Sequence, residues 1–186
     1  LNSGNLYLYM DDVLISTDET AGFEGHCAVI EQTLQTLDRA DLVCNPTKCC
    51  FMQSKNNYLG FEISAKGTTI RDDRLKAMEQ WTSPRDKKQC KRMLATLQFN
   101  RKFLRNFAQR TYSMRKLLRP EVPFVWTTEC ENDYRSIIND LLQKPVLQPI
   151  NPNADFVIYT EASDGGAGAA LLQVSEIDGK LHPVSF

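Results

Sequence analysis

The chain has 186 residues, with 22 Lys+Arg against 23 Asp+Glu. A hydrophobic share of 42% with 24% charged residues excludes a wholly disordered or collagen-like chain, and no run of about 18 apolar residues exists to span a membrane. Six cysteines are too few for a disulfide scaffold, and two histidines argue against a His-rich metal centre or a Ser-His-Asp triad.

Residues 6–10 and 13–16 are short apolar runs rich in Tyr, Val and Ile, and read as a tight hairpin with Asp11 and Asp12 at its tip. Phe23, Cys27, Ile30, Leu34 and Leu37 recur at helical spacing, predicting an amphipathic helix to about Asp41 that ends before Asn45-Pro46. Residues 49–52 and 58–63 read as a second strand pair, split by a polar turn at 54–57. A helix is expected over 72–81. Ser83-Pro84-Arg85-Asp86 reads as the start of the next, with Ser83 as cap. That helical region runs to Leu118, with a local break at Gln98-Phe99-Asn100. Thr128-Glu129-Cys130-Glu131 reads as a capping box, with Tyr134, Ile137, Ile138, Leu141 and Leu142 as the apolar stripe behind it. Strands follow at 156–160, 167–174 and 182–186, with a turn at 163–166. The opening Leu1-Asn2-Ser3, with no Met and no basic-then-apolar leader, reads as part of a longer, non-secreted product.

The near-zero net charge hides a segregation. Residues 1–48 carry 8 acids and 2 bases, whereas residues 84–119 carry 1 acid and 12 bases. Residues 120–186 return to 10 acids and 3 bases. A cationic block interleaved with Phe99, Phe103, Phe107 and Tyr112 fits a phosphate-binding surface, because cations displace counterions condensed on nucleic acid. A solvated helix face is the simpler alternative, and the 99/103/107 spacing also suits a helix core face.

Adjacent acids at a hairpin tip repel each other, and a divalent cation relieves that repulsion through hard oxygen ligands. Metal-dependent phosphoryl transfer uses such carboxylates beside the attacking and leaving oxygens. On the dipeptide alone, a polar turn explains Asp11-Asp12 better than a metal site, since Asp-Asp is common in turns. Cys44, Cys49 and Cys50 lack zinc spacing and have no His nearby, so buried or idle thiols are expected. His26 reads as structural or exposed. Gly165-Gly166 with Gly168 is no phosphate loop, since no Lys-Ser/Thr pair follows. Trp81 and Trp126 read as packing between domains.

The surroundings of the aspartate pair carry a resemblance. Tyr9-Met10-Asp11-Asp12-Val13-Leu14-Ile15 resembles the polymerase hairpin of reverse transcriptases. The order that follows resembles the Pol polyprotein of LTR retrotransposons, nearest the Ty3/Gypsy group. Asn45-Pro46-Thr47-Lys48-Cys49 resembles the approach to the last palm strands, and Tyr58-Leu59-Gly60-Phe61 the primer grip. Residues 94–106 resemble a thumb segment, and Phe124-Val125-Trp126-Thr127 the connection. Tyr159-Thr160-Glu161-Ala162-Ser163, with Gly165, Gly168 and Ala169, resembles the first strands of RNase H.

The resemblance implies an α+β fold. Its parts would be the C-terminal half of a palm (1–66), a helical thumb (67–119), a connection (120–152) and the first strands of an RNase H-like domain (153–186). It implies RNA-directed DNA synthesis coupled to RNase H, with Mg²⁺ or Mn²⁺ held by Asp11 and Asp12 and, in RNase H, by Glu161. Asp11 would be the direct ligand. Tyr9 and Met10 would lie at the primer terminus, Lys48 near the incoming nucleotide, and Tyr58, Leu59 and Gly60 along the primer. Lys87, Lys88, Lys91, Arg92, Arg101, Lys102 and Arg105 would contact nucleic acid. The implied partners are an RNA/DNA template-primer and dNTPs, with no membrane, in a cytoplasmic particle or the nucleus.

Three positions depart from the family pattern: Glu161 for Asp, Ala95 for Gly and Asn100 for an aromatic. The family's other palm aspartate is expected upstream, and its remaining RNase H carboxylates downstream, so the isolated chain is expected to be inactive. The alternatives are a non-catalytic nucleic-acid-binding remnant, or a protein-interaction module whose unpaired palm edge self-associates.

Overall fold

The computed structural model describes residues 4–151, 153–163, 166–175 and 178–186. They fall into two compact units, one ending at Leu59 and the other running from Gly60 to Phe186.

In the first unit, β1 (Gly4–Tyr9) pairs antiparallel with β2 (Asp12–Thr17), with Tyr9 opposite Asp12. Short apolar runs and a two-residue connection give the expected hairpin. Asp18 then caps a short 3₁₀ turn by accepting from the Ala21 amide at 3.1 Å. Helix α1 (Gly22–Arg39) follows. Thr17 Oγ1 lies 2.9 Å from His26 Nδ1, which ties α1 to β2. No residue of this unit whose side chain is described is buried: Phe23 is 72% and Leu8 65% exposed. The expected strand at 49–52 does not form. Met52 takes a left-handed backbone (φ 55°), which ends any extended run there. The strand β3 is instead Lys55–Tyr58, the segment expected to be a polar turn.

In the second unit, β4 (Phe61–Ser64) and β5 (Gly67–Ile70) form an antiparallel hairpin. Helix α2 (Asp72–Glu79) begins with two acids, which favour a helix N-terminus. Helix α3 (Lys87–Phe99) starts four residues after Ser83, because the Asp86 carboxylate accepts from the Gln89 amide at 2.7 Å and is the cap. The expected break then appears: Asn100 ends α3, and α4 (Phe107–Arg110) and α5 (Tyr112–Lys116) follow as short pieces. Helix α6 (Thr128–Leu142) is capped by Thr127, one residue earlier than the sequence suggests. Ile70, Leu75, Met78, Leu97, Leu104, Met114, Tyr134, Ile137 and Leu141 form one core, and Trp81 and Trp126 pack against it. The buried Cys90 thiol is pushed up to about 11, chiefly by burial, and all six cysteines are free.

Freed from capping, Glu131 joins two segments. Its Oε2 accepts from Ser83 Oγ and from Trp126 Nε1, each at 2.6 Å, and its Oε1 accepts from Arg135 Nε at 2.8 Å. These bonds, Ser83 first, hold the Glu131 carboxyl below its ordinary value of 4.5. A lowered pKa adds stability that is present above the unfolded value and lost as pH falls through the folded one. Glu131→Gln is therefore expected to cost about 1 kcal/mol at pH 7. Urea titrations should show that gap closing below pH 4.5. A gap that persists in acid would refute the charge-based account.

After α6 the chain stitches two sheets together. Lys144 Nζ stands 2.9 Å from Asp72 and 3.5 Å from Glu62. Thr68 and Leu147 exchange backbone hydrogen bonds of 2.8 and 2.9 Å, and Thr69 Oγ1 donates to Pro145 O at 3.1 Å. One residue on, the Gln148 amide donates to Pro183 O at 2.9 Å, and Gln173 Nε2 donates to Pro149 O at 2.6 Å. The second sheet is a meander of β6 (Phe156–Ser163), β7 (Gly166–Val174) and β8 (Leu181–Ser185). The expected turn at 163–166 includes Asp164 and Gly165, which lie outside the described residues, as does the Gly165 of the RNase H motif. Among the described residues, no helix is long and apolar enough to cross a membrane.

Candidate functional site

The β1–β2 hairpin presents Asp11 and Asp12 to solvent. The turn is built at a cost. Met10 sits in the left-handed region (φ 51°) and is 88% exposed. Asn or Gly would adopt that backbone with less strain, and a long apolar side chain there gains no burial. Strained residues of this kind cluster at functional sites. Tyr58 Oη donates to Tyr7 O at 3.3 Å, which brings β3 against the hairpin. Lys48 is exposed at the end of the 3₁₀ turn Pro46–Lys48, which Asn45 caps.

Among the described residues, no three His, Cys, Asp or Glu side chains gather as a metal cluster. The tip still suits a divalent ion in kind, since Mg²⁺ is commonly held by one or two carboxylates with the remaining ligands from phosphates and water. Cys44, Cys49 and Cys50 join no such cluster.

Leu59 (φ 49°) and Gly60 (φ 83°) both take left-handed backbone. A Cβ on Gly60 would stand 2.8 Å from Arg74 Nη2, so only glycine lets the guanidinium approach. Arg74 lies 4.8 Å over the Phe99 ring. Phe99 stacks on Phe61 with centroids 4.8 Å apart and planes 5° apart, and Lys102 Nζ lies 3.6 Å over the other ring, Phe61. Burial in this stack pushes the Lys102 pKa down.

The basic segment divides by geometry. Lys88, Lys91 and Arg92 form an exposed stripe on α3, opposite buried Cys90, Met93, Leu94 and Leu97. Arg101 and Arg105 are also exposed. Lys87 instead donates to Arg119 O at 2.6 Å and Pro120 O at 3.3 Å. Lys102 is half-buried in the aromatic stack. Phe103 is buried and Phe107 half-buried, but Phe99 is 45% exposed and the three lie on separate elements, so they make no single helix core face. The Arg74–Phe99–Phe61–Lys102 stack had no signal in the sequence, because its members are spread over 61–102.

Glu161 is exposed on β6, opposite Gly168 of β7. It has no hydrogen-bond or ion-pair partner among the described residues.

Residues 2–63 match the family described as reverse transcriptase (RNA-dependent DNA polymerase). Residues 126–186 match the RNase H-like domain found in reverse transcriptase. The Tf2-3 transposon polyprotein of Schizosaccharomyces pombe is 32% identical over 178 residues, covering 96% of this chain and 13% of the relative. The Tf2-7 polyprotein of the same yeast is 30% identical over 186 residues, covering 100% of this chain and 14% of the relative. The chain thus spans about an eighth of these polyproteins. Among solved structures, a foamy viral protease-reverse transcriptase in complex with double-stranded DNA matches at a TM-score of 0.81 and 21% identity, over 97% of this chain and 31% of that one. Another, in complex with RNA/DNA hybrid, matches at 0.79 and 19% identity, over 97% and 24%. These likenesses establish the fold.

Proposed function

Because the chain belongs to the reverse transcriptase and RNase H-like region of Ty3/Gypsy-like retrotransposon polyproteins, we propose that it serves RNA-directed DNA synthesis coupled to RNase H in a longer protein. The observation that carries this reading is the exposed Asp11-Asp12 pair on a turn strained at Met10. Asp11 and Asp12 would hold Mg²⁺ or Mn²⁺. A divalent ion there would offset charge on the attacking primer oxygen and the leaving pyrophosphate. Tyr9 and Met10 lie beside the primer end, Lys48 serves the incoming nucleotide, and Tyr58, Leu59 and Gly60 align the primer strand. Lys88, Lys91, Arg92, Arg101 and Arg105 neutralise phosphates. Lys87 and Lys102 instead brace the scaffold that presents them.

The binding role is tested by titrating a fluorescent template-primer against the 186-residue chain at several salt concentrations. With about five phosphates contacted, log affinity is expected to fall with log salt at a slope near −4. A flat response would leave only a solvated helix face. The chain alone is expected to bind without extending the primer, since among the described residues the two carboxylates at the tip are joined by no third metal ligand. Incorporation above that of an Asp11→Ala control would contradict this.

Glu161 tests the RNase H half. Its carboxylate offers the oxygens of Asp on a longer stem, with one more rotatable bond to order. A shift of about 1 Å can cost about 10²-fold in rate. In a polyprotein carrying this region, Glu161→Asp is expected to raise hydrolysis of a labelled RNA–DNA hybrid. An unchanged or lower rate would show that the surroundings fit the longer side chain.

A further inference from the structure

One stack of four side chains grips the chain where the second unit begins. Gly60 opens that unit, and Phe61 starts β4 directly after it. Arg74, on α2, packs against Gly60: a Cβ there would stand 2.8 Å from its Nη2 and 3.0 Å from both its Cζ and its Nη1. Distances this nearly equal mean that the guanidinium turns its face, not its edge, to the glycine. The same guanidinium lies 4.8 Å over the Phe99 ring. Phe99 stacks on Phe61, and Lys102 Nζ lies 3.6 Å over Phe61.

The stack reaches into α3. Phe99 is the last residue of that helix and stands about three turns after Lys88, on the face that also carries Arg92. Lys102 follows in the 3₁₀ turn Arg101–Phe103. Residues from β4, α2, α3 and this turn therefore meet in one row. A planar guanidinium fits between a backbone and a ring, where a lysine ammonium has no flat face to offer. Leucine could fill much of the volume of Phe99, but it gives a cation no ring face to sit on.

We infer that Arg74 is a positioning residue for primer extension. It acts through its neighbours: by way of Phe99 it ties the Gly60 turn to the helix face of Lys88 and Arg92, and so sets where a primer held by that face ends. Phosphate contacts supply affinity along the strand. Rate depends instead on where the terminal hydroxyl lies, and a shift of about 1 Å can cost about 10²-fold. Loosening the stack therefore slows the reaction while leaving the strand bound. This rests on the polymerase reading above, and the test separates the two.

Primer extension by a polyprotein carrying this region is measured, with the Kd for template-primer determined in parallel. Arg74→Gln is expected to lower kcat about tenfold with Kd within about twofold. Phe99→Leu should do the same, whereas Phe99→Tyr, which keeps the ring, should retain the full rate. Arg74→Gln combined with Phe99→Leu should lose about tenfold, not the roughly hundredfold of independent sites. Arg71→Gln alters the neighbouring arginine, which pairs with Asp73 at 2.8 Å, and should leave kcat unchanged. Thermal melts of the 186-residue chain check that each variant folds, and the Phe99 pair carries the test if Arg74→Gln does not. An unchanged kcat in Arg74→Gln and Phe99→Leu, where Asp11→Ala abolishes extension, overturns the positioning role alone. Extension left intact by Asp11→Ala would remove the polymerase reading and the inference with it. A Kd weakened about tenfold would make Arg74 a strand contact, and losses that multiply in the double variant would make the two residues independent. Either result refutes the inference.

Discussion

Asp11→Ala, introduced into a polyprotein that carries this region, is expected to cut primer extension by at least about 10³-fold. Each 1.36 kcal/mol of lost transition-state stabilisation is a factor of ten, and carboxylate-held metal ions supply several kcal/mol. The loss should appear in kcat more than in KM for the nucleotide, since the charge being neutralised develops during reaction. The fold should be unaffected. Asp11 is exposed on a hairpin tip and buries nothing, so unfolding should shift by no more than about 0.5 kcal/mol. Extension by Asp11→Ala within a few-fold of the unaltered protein would make Asp11-Asp12 an ordinary polar turn.

Gly67→Ala is expected to destabilise the second unit by about 3 kcal/mol. A Cβ at residue 67 would stand 2.2 Å from Leu147 O and 3.0 Å from its carbonyl carbon, against backbone that cannot swing aside. The backbone also sits at φ 123°, where any L side chain is strained. Relief requires parting Thr68 from Leu147, which breaks both of their hydrogen bonds. Gly22→Ala is the matched control: φ is 62° and nothing lies within 4 Å of the added carbon. Its cost should be about 1 kcal/mol. Urea unfolding followed by far-ultraviolet circular dichroism, which reads both units, would compare them, and equal losses for the two variants would show that the clash is relieved.

Local pattern carried much of the fold. The hairpin at Asp11-Asp12, the α1 periodicity and the break at Asn100 all follow from neighbours in the chain, and their positions agree with the structure. The misplacements have local physical causes. Ser83-Pro84 offers an acceptable helix start, but Asp86 accepts the Gln89 amide more strongly. Thr128 and Glu131 spell a capping box, yet Glu131 is drawn off by Ser83 and Trp126, the former 48 residues away in sequence. Met52 reads as apolar strand, and nothing in its side chain announces a left-handed backbone. The site divides the same way. Charge counting located the basic segment, but could not separate Arg101 from Lys102, whose ammonium finds a ring 41 residues upstream. The roles assigned to Asp11, Asp12, Lys48 and Glu161 come from resemblance, since side-chain chemistry alone gives a carboxylate many uses.

The short segment after α6 decides how the second unit can breathe. Its amides at 147 and 148 donate in opposite directions, one to β5 and the next to β8, while Thr68 returns a bond to Leu147. Prying the β4–β5 hairpin from the meander therefore ruptures neighbouring bonds at once, and no single one can fray first. Hydrogen exchange at Thr68, Leu147 and Gln148 should proceed at a common, slow rate, as for one cooperative opening. A pull on either sheet reaches the other through two residues, so a hinge cannot lie at 147–148, and bending is left to the chain on either side.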